Sequence, residues 1–159
     1  MTLDYTDKQL LKYLQQNAKQ TNKQLAHKLN LSVTAVYERI KKLERSGIIT
    51  SYVALLDKNA ISKGFMVFCH VKLTQHSGRF IKKFEEEAVQ LPEVLECFHV
   101  SGEYDYLLKV VVEDMEHFRT FMINKLTALE HIGSTQSSFS INEVKNTTAI
   151  ALWIHPDWF

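Results

Sequence analysis

The sequence predicts an α+β protein in two parts, an N-terminal winged helix-turn-helix joined to a C-terminal ferredoxin-like βαββαβ domain. Three observations predict it. Thr21 to Leu56 gives a helix, a tight turn, a second helix and a strand-like run; the remainder of the chain alternates strand and helix signals in the order β-α-β-β-α-β; and the charge changes sign between the two. Met1 to Ala60 carries ten Lys and Arg against five Asp and Glu, a net of +5, while Ile61 to Phe159 carries nine against thirteen, a net of −4. A basic front joined to an acidic back points to a polyanion partner for the front alone. The boundary is expected at the polar, turn-forming Asp57 to Gly64, giving domains of 1–60 and 61–159.

In the first part, Thr6-Asp7-Lys8-Gln9 has the spacing of a capping box and predicts a helix that presents Leu10, Leu11 and Leu14. Thr21 with Gln24 repeats that spacing and opens a short helix with Leu25, Ala26 and Leu29 on its apolar side. Asn30 breaks it. Ser32 then caps a helix over Val33 to Ser46, in which Val36, Ile40 and Leu43 fall at i, i+4 and i+7 and face inward. Gly47 sits where a helix end favours a left-handed residue, and Ile48 to Leu56 is rich enough in β-branched and aromatic residues to predict the wing strand.

With one stripe buried, the second helix of the motif turns a basic, hydrogen-bonding face outward. A duplex major groove admits one helix when another element holds it at a fixed angle. Ser32, Thr34, Ala35 and Glu38 are therefore expected at base edges, Tyr37 and Arg39 at bases or phosphates, and Lys41, Lys42 and Arg45 at phosphates. A solvated helix face is the competing account of Lys41, Lys42 and Arg45, and the surrounding caps and turn favour DNA.

In the second part, Phe65 to Leu73 predicts a strand, Gly78 to Leu91 a helix stopped by Pro92, and Val94 to Val100 and Tyr104 to Val112 a hairpin. Asp114 caps a second helix carrying Met115, Phe118, Met122, Leu126 and Leu129, and a last strand is expected over about Gln136 to Val144. Helices cover one face of such a sheet, yet Met66, Phe68, Leu107 and Val111 put apolar side chains on the other as well. This predicts an isologous dimer, which suits a pseudo-palindromic site.

LSVTAVYERIKKLERSGIITSYVALL in the first part and LPEVLECFHVSGEYDYLLKVVVEDMEHFR in the second resemble the Lrp/AsnC (feast/famine) transcriptional regulators, over nearly the whole chain. The resemblance implies an N-terminal DNA-binding domain, a C-terminal domain for amino-acid sensing and assembly, and dimers that assemble further, commonly to octamers. It also implies an effector pocket formed by Val100, Ser101, Gly102, Glu103, Tyr104 and Asp105 with a facing stretch of Ile132, Gly133, Ser134, Thr135, Gln136 and Ser137. A zwitterion needs a carboxylate for its ammonium, which Asp105 offers. It needs N–H or hydroxyl donors for its carboxylate, which Thr135, Ser137 and the backbone near Gly102 offer. The alternative is that Gly102 and Asp105 only shape a turn. Ser137-Ser138-Phe139-Ser140 is more polar than the β-branched run usual in that strand.

Other chemistry finds little support. No nucleophile with its base, phosphate loop or metal spacing stands out, so neither an enzyme nor a metal or organic cofactor is expected. His70, His76, His99, His117, His131 and His155 read as structural or surface residues, and Cys69 and Cys97 as strand thiols. No apolar run approaches the roughly 18 residues of a membrane span, and no signal segment opens the chain, so a cytoplasmic protein is expected. The apolar tail Ile150 to Phe159 is expected to pack on the dimer or on a neighbouring dimer. The rival function is an architectural DNA-wrapping protein of the same fold without an effector.

Overall fold

Each of the three front helices begins on a side chain that takes up a free backbone N–H, which is the main local reason they begin where they do. The computed structural model describes residues 2–152, with α1 over Tyr5–Gln16, α2 over Asn22–Leu29 and α3 over Val33–Arg45. The α2 and α3 caps are the expected ones. Thr21 and Gln24 exchange bonds in a capping box, and the Ser32 hydroxyl accepts the Ala35 N–H at 3.1 Å. The α1 cap differs from the expected Thr6–Gln9 box. Asp4 accepts the Asp7 N–H at 2.7 Å, Asp7 accepts the Asp4 N–H at 3.3 Å, and Thr6 falls inside the first turn. A carboxylate at the helix start also meets the positive end of the helix dipole, an advantage that a Thr hydroxyl lacks.

Leu10, Leu11, Leu14, Leu25, Ala26, Val36 and Leu43 make the helical core, with Ile40 half-buried beside it. Asn30, at φ 52°, ends α2 in the left-handed region. Gly47, at φ +72°, ends α3 while its N–H reaches the Glu44 carbonyl. The expected strand over Ile48 to Leu56 does not form among the described residues: Ile49 packs on the helices, but Thr50 to Leu56 has no ladder partner, and an unpaired run does not become a strand however strong its propensity.

The second part forms β1 (Phe65–Leu73), α4 (Gly78–Ala88), β2 (Val94–His99), β3 (Tyr106–Val112), α5 (Met115–Phe121, running on as a π turn over Met122–Leu126) and β4 (Ile132–Phe139). The four strands lie in the order β2-β3-β1-β4, each antiparallel to its neighbours, which is the expected ferredoxin-like plan. Several bounds differ from expectation: α4 ends at Ala88 rather than Leu91, and β2 at His99 rather than Val100. The last strand runs over Ile132–Phe139 rather than about 136–144, in a register that sets Ile132 against Leu73 and Phe139 against Val67, and β3 starts at Tyr106 because Tyr104 and Asp105 belong to the hairpin connection.

One face of this sheet is closed by α4 and α5. Val67, Cys69, Val71 and Leu73 of β1 and Tyr106, Leu108, Val110 and Val112 of β3 are buried there against Phe84, Ala88, Phe118, Phe121 and Leu126. The register places Met66 opposite Val111 and Phe98 opposite Leu107 on the other face, where Met66 is buried and Phe98 is 48% exposed.

The contacts divide the chain into two compact units, one of residues up to Ala54 with the described residues from Lys145 on, the other Leu55–Val144. Sequence reasoning placed everything after residue 60 with the sheet. Instead, the Gln15 amide accepts the Ile150 N–H at 2.7 Å and donates to its carbonyl at 3.1 Å, and Leu152 packs on the helical core. The rest of the apolar tail, with His155, lies outside the described residues.

A cap glycine and a helix-start glycine should respond oppositely to a methyl group. Nothing lies within 4 Å of a Cβ at Gly47 or Gly78, so backbone conformation alone decides. Gly47→Ala should lose about 1 kcal/mol or more and Gly78→Ala should be neutral or gain about 0.5 kcal/mol, measured by urea midpoints.

Candidate nucleic-acid interface and ligand site

Once Val36 and Leu43 are buried, α3 leaves Thr34, Tyr37, Glu38, Lys42 and Arg45 exposed, with Ala35, Arg39 and Lys41 half-buried at the margins. The Ser32 hydroxyl spends a lone pair on the cap and keeps its proton to donate. Lys41 Nζ is 2.8 Å from Glu44 Oε2 and 5.8 Å from the centre of the Tyr37 ring, while the Tyr52 hydroxyl donates to Glu44 at 3.1 Å. The bond to Glu44 raises the Lys41 pKa and lowers that of Glu44. Lys41 is thus partly neutralised. Lys42 and Arg45, with Glu38, Arg39 and Asp4, line an open depression of about 390 Å³.

Arg39, at the edge of that depression, is already engaged. Its guanidinium NH1 is 2.7 Å from Asp4 Oδ2 and 2.6 Å from Asp7 Oδ1, in the capping box of α1. The bond to Asp4 leads the causes that raise its pKa. On Asp4 burial works upward, but the Asp7 N–H, the Arg39 bond and the charges of Arg39 and Lys42 outweigh it and hold the carboxyl below its usual range. Sequence reasoning missed Asp4 and Asp7. The available signal was the Asp-x-x-Asp spacing ahead of Leu10, which is itself a capping pattern.

In the second unit the β2–β3 connection, Val100 to Asp105, is closed by the Val100 N–H on the Asp105 carbonyl at 2.8 Å. Ser101, Gly102 and Glu103 are exposed at its tip, with Gly102 at φ +135°, a conformation that other residues rarely adopt. Tyr104 lies with its ring 5.2 Å from that of His70 and donates its hydroxyl to Gln136 at 2.8 Å, so the hairpin reaches across β1 to β4. Asp105 is anchored twice: Oδ2 accepts the Leu73 N–H at 2.7 Å and Oδ1 lies 2.9 Å from His76 Nε2. Burial works to raise its pKa, but the Leu73 and His76 bonds, with the charges of His76 and His99, lower it.

The facing stretch divides between two sides. Gln136 and Ser134 stand opposite His70 and Lys72 on the open side, with Tyr104. Thr135 and Ser137 stand opposite the buried Val71 and Cys69, and the Ser137 hydroxyl is 3.9 Å from the Cys69 thiol. So the structure pairs Asp105 with His76 and Tyr104 with Gln136 at successive residues of the hairpin, and turns Thr135 and Ser137 toward the helix side. Cys69 is an inert buried thiol, its pKa pushed up to about 11 by burial. Among the described residues no three His, Cys, Asp or Glu side chains gather into a metal site, and no helix is long and apolar enough to cross a membrane.

A capped helix presenting a basic outer face, followed by a two-layer α+β unit with a polar hairpin site, defines a DNA-binding regulator with a separate ligand-binding domain. The chain belongs to the Lrp/AsnC family of transcriptional regulators. The family model described as Lrp/AsnC ligand binding domain matches residues 66–150, and that of the winged helix-turn-helix DNA-binding domain matches residues 3–50. The DNA-binding transcriptional activator DecR of Escherichia coli K12 is 35% identical over 94% of this chain and 99% of its own. The leucine-responsive regulatory protein of Rhizobium meliloti is 34% identical over 94% and 96%. Among solved structures, a transcriptional regulator of Neisseria meningitidis in complex with L-Met superposes with a TM-score of 0.90 at 35% identity, covering 94% of this chain and 97% of that one. These relatives are transcriptional regulators, not enzymes.

Asp105 couples the hairpin to the end of β1, and its acid response has a definite sign. A carboxyl whose folded pKa is depressed stabilises fully above its ordinary value and loses that contribution as pH falls through the folded one. Asp105→Asn should therefore be less stable than the parent near neutral pH. Its deficit should shrink below about pH 4, as measured by urea midpoints across that range.

Proposed function

We propose that this protein binds duplex DNA sequence-specifically as a two-fold dimer, and that an amino-acid effector at the hairpin site controls its further assembly and hence its DNA occupancy. The observation that carries the DNA reading is the state of α3, whose apolar stripe is consumed inside the helical unit while Thr34, Tyr37, Glu38, Lys42 and Arg45 stay exposed. Ser32, Thr34, Ala35 and Glu38 are placed at base edges, Tyr37 at either bases or phosphates, and Lys41, Lys42 and Arg45 at phosphates. Lys42 and Arg45 are the stronger phosphate assignments, since Glu44 holds Lys41. A cytoplasmic location is part of this reading, supported by a bacterial relative described as a DNA-binding transcriptional activator.

The dimer is assigned to the sheet face that α4 and α5 leave open, with Phe68, Phe98, Leu107 and Val111 as its apolar surface; Met66, on the same face, is already buried within the chain. The amino-acid effector is assigned to the Val100–Asp105 hairpin. Ser134 and Gln136 join it as neighbours on the Tyr104 side, whereas Thr135 and Ser137, paired with Val71 and Cys69, face the helix side and are left out of it. The relatives described as leucine-responsive and as an L-Met complex support an apolar amino acid. In this reading the ammonium approaches Asp105 beside His76, and exposed backbone N–H groups at Ser101 to Glu103 meet the carboxylate. Effector control requires that the two assembly states bind the amino acid with different affinity.

Isothermal titration with L-methionine and L-leucine, followed by light scattering with and without each, tests the effector. Heat of binding with a shift in particle size is expected. No heat from any amino acid, with DNA binding intact, would leave the architectural DNA-wrapping reading in its place. The DNA face has its own check: the double variant Lys42→Ala, Arg45→Ala should bind all duplexes more weakly, with the slope of log affinity against log salt reduced by about two. An unchanged slope would return those side chains to solvent.

A further inference from the structure

We infer that Arg39 is a positioning residue: it sets the pose of α3 by binding the capping box that opens α1, and it does not contact DNA. The inference rests on the DNA reading of α3 and changes the role of one residue within it.

The geometry is a closed knot. Asp4 and Asp7 each accept the other's backbone N–H, and each places its remaining oxygen within 2.7 Å of the same Arg39 nitrogen. Among the described residues Asp7 is the one buried charged side chain, 1% exposed, and Arg39 is itself only 30% exposed. A carboxylate taken this far from water is stable only while it stays paired, so the guanidinium is not free to leave for a phosphate. The electrostatics agree. Two carboxylates more than cancel the one positive charge, leaving nothing of Arg39 to attract a polyanion, whereas Lys42 and Arg45 on the same depression keep theirs.

The need for such a latch comes from how α3 is packed. Val36 and Leu43 hold it by one apolar stripe, and apolar contact resists separation better than it resists a small roll about the helix axis. Arg39 sits on the flank of that stripe, three residues after Val36 and four before Leu43. Bonded to the rigid start of α1, it fixes the angle at which Thr34, Tyr37 and Glu38 face outward. Phosphate attraction tolerates a roll of several degrees; a base-edge hydrogen bond does not.

The test compares the parent with Arg39→Gln, Asp7→Asn and the double variant Asp7→Asn, Arg39→Gln. Each is measured by anisotropy on a duplex selected by the parent from a random library and on an unrelated duplex, over a range of salt. Arg39→Gln should lose about tenfold on the selected duplex, the size of one base contact, with little change on the unrelated one and no change in salt slope. The double variant replaces the ion pair by an amide pair that keeps a hydrogen bond and buries no charge, so it should recover most of the lost selectivity at the parent's slope. It also remains informative if the single variant fails to fold. A salt slope reduced by about one in the double variant, with both duplexes weakened alike, would make Arg39 a phosphate contact and overturn the inference. A melting temperature that falls while selectivity and slope hold in every variant would overturn it too, by reducing the knot to plain stability. A parent that binds neither duplex overturns the DNA reading and this inference with it.

Discussion

An amphipathic helix can present one face to a partner only if the other face is already spent, and the first unit of this protein depends on that constraint. Val36 and Leu43 are withdrawn fully from solvent against leucines of α1 and α2, which leaves the polar arc of α3 no choice but to face outward. The caps make the arrangement definite. Each fixes where a helix begins and therefore which residue stands at which angle, so a shift of one position at Ser32 would carry a different set of side chains to the exposed arc.

The sheet unit answers a different demand. Its strands are apolar on both sides, but α4 and α5 cover only one, so the packing of a single chain accounts for half of its hydrophobic pattern. The hairpin between β2 and β3 adds polar order at one end. Asp105 ties it to the backbone of β1 and Tyr104 reaches Gln136 on β4, so three strands meet around one short connection. Such a place suits a small zwitterion because it offers a carboxylate, exposed N–H groups and a rigid floor, and because moving the hairpin moves strands that are already coupled.

Much of this was legible in the amino-acid order. The caps at Thr21 and Ser32, the left-handed residue at Gly47, the helical core and the βαββαβ sequence of the second unit follow from local hydrogen bonding and from periods of two and 3.6 residues, which neighbouring residues alone can express. What the residues misindicated has a shared cause. Ile48 to Leu56 has strand propensity but no ladder partner, and β4 pairs with β1 from Ile132 to Phe139, earlier in the chain than its own residues suggested. The α1 cap went to Asp4 over an equally well-spaced Thr6, a competition between overlapping boxes that spacing does not decide.

Local order thus determined the type of each element that forms, the basic face of α3 and the two-part plan, since propensity, capping and periodicity act over a few residues. Tertiary structure decided which groups are already in use. Arg39 reads as one more basic residue on a basic helix, and only the approach of α1 commits it to two carboxylates. Thr135 and Ser137 read as ligand donors until the pairing with β1 turns them toward the helix side, and His76 enters beside Asp105 from a loop 29 residues away in the chain. Hydrogen bonds and ion pairs are satisfied by proximity in space, and that proximity is set by packing between elements distant in the chain.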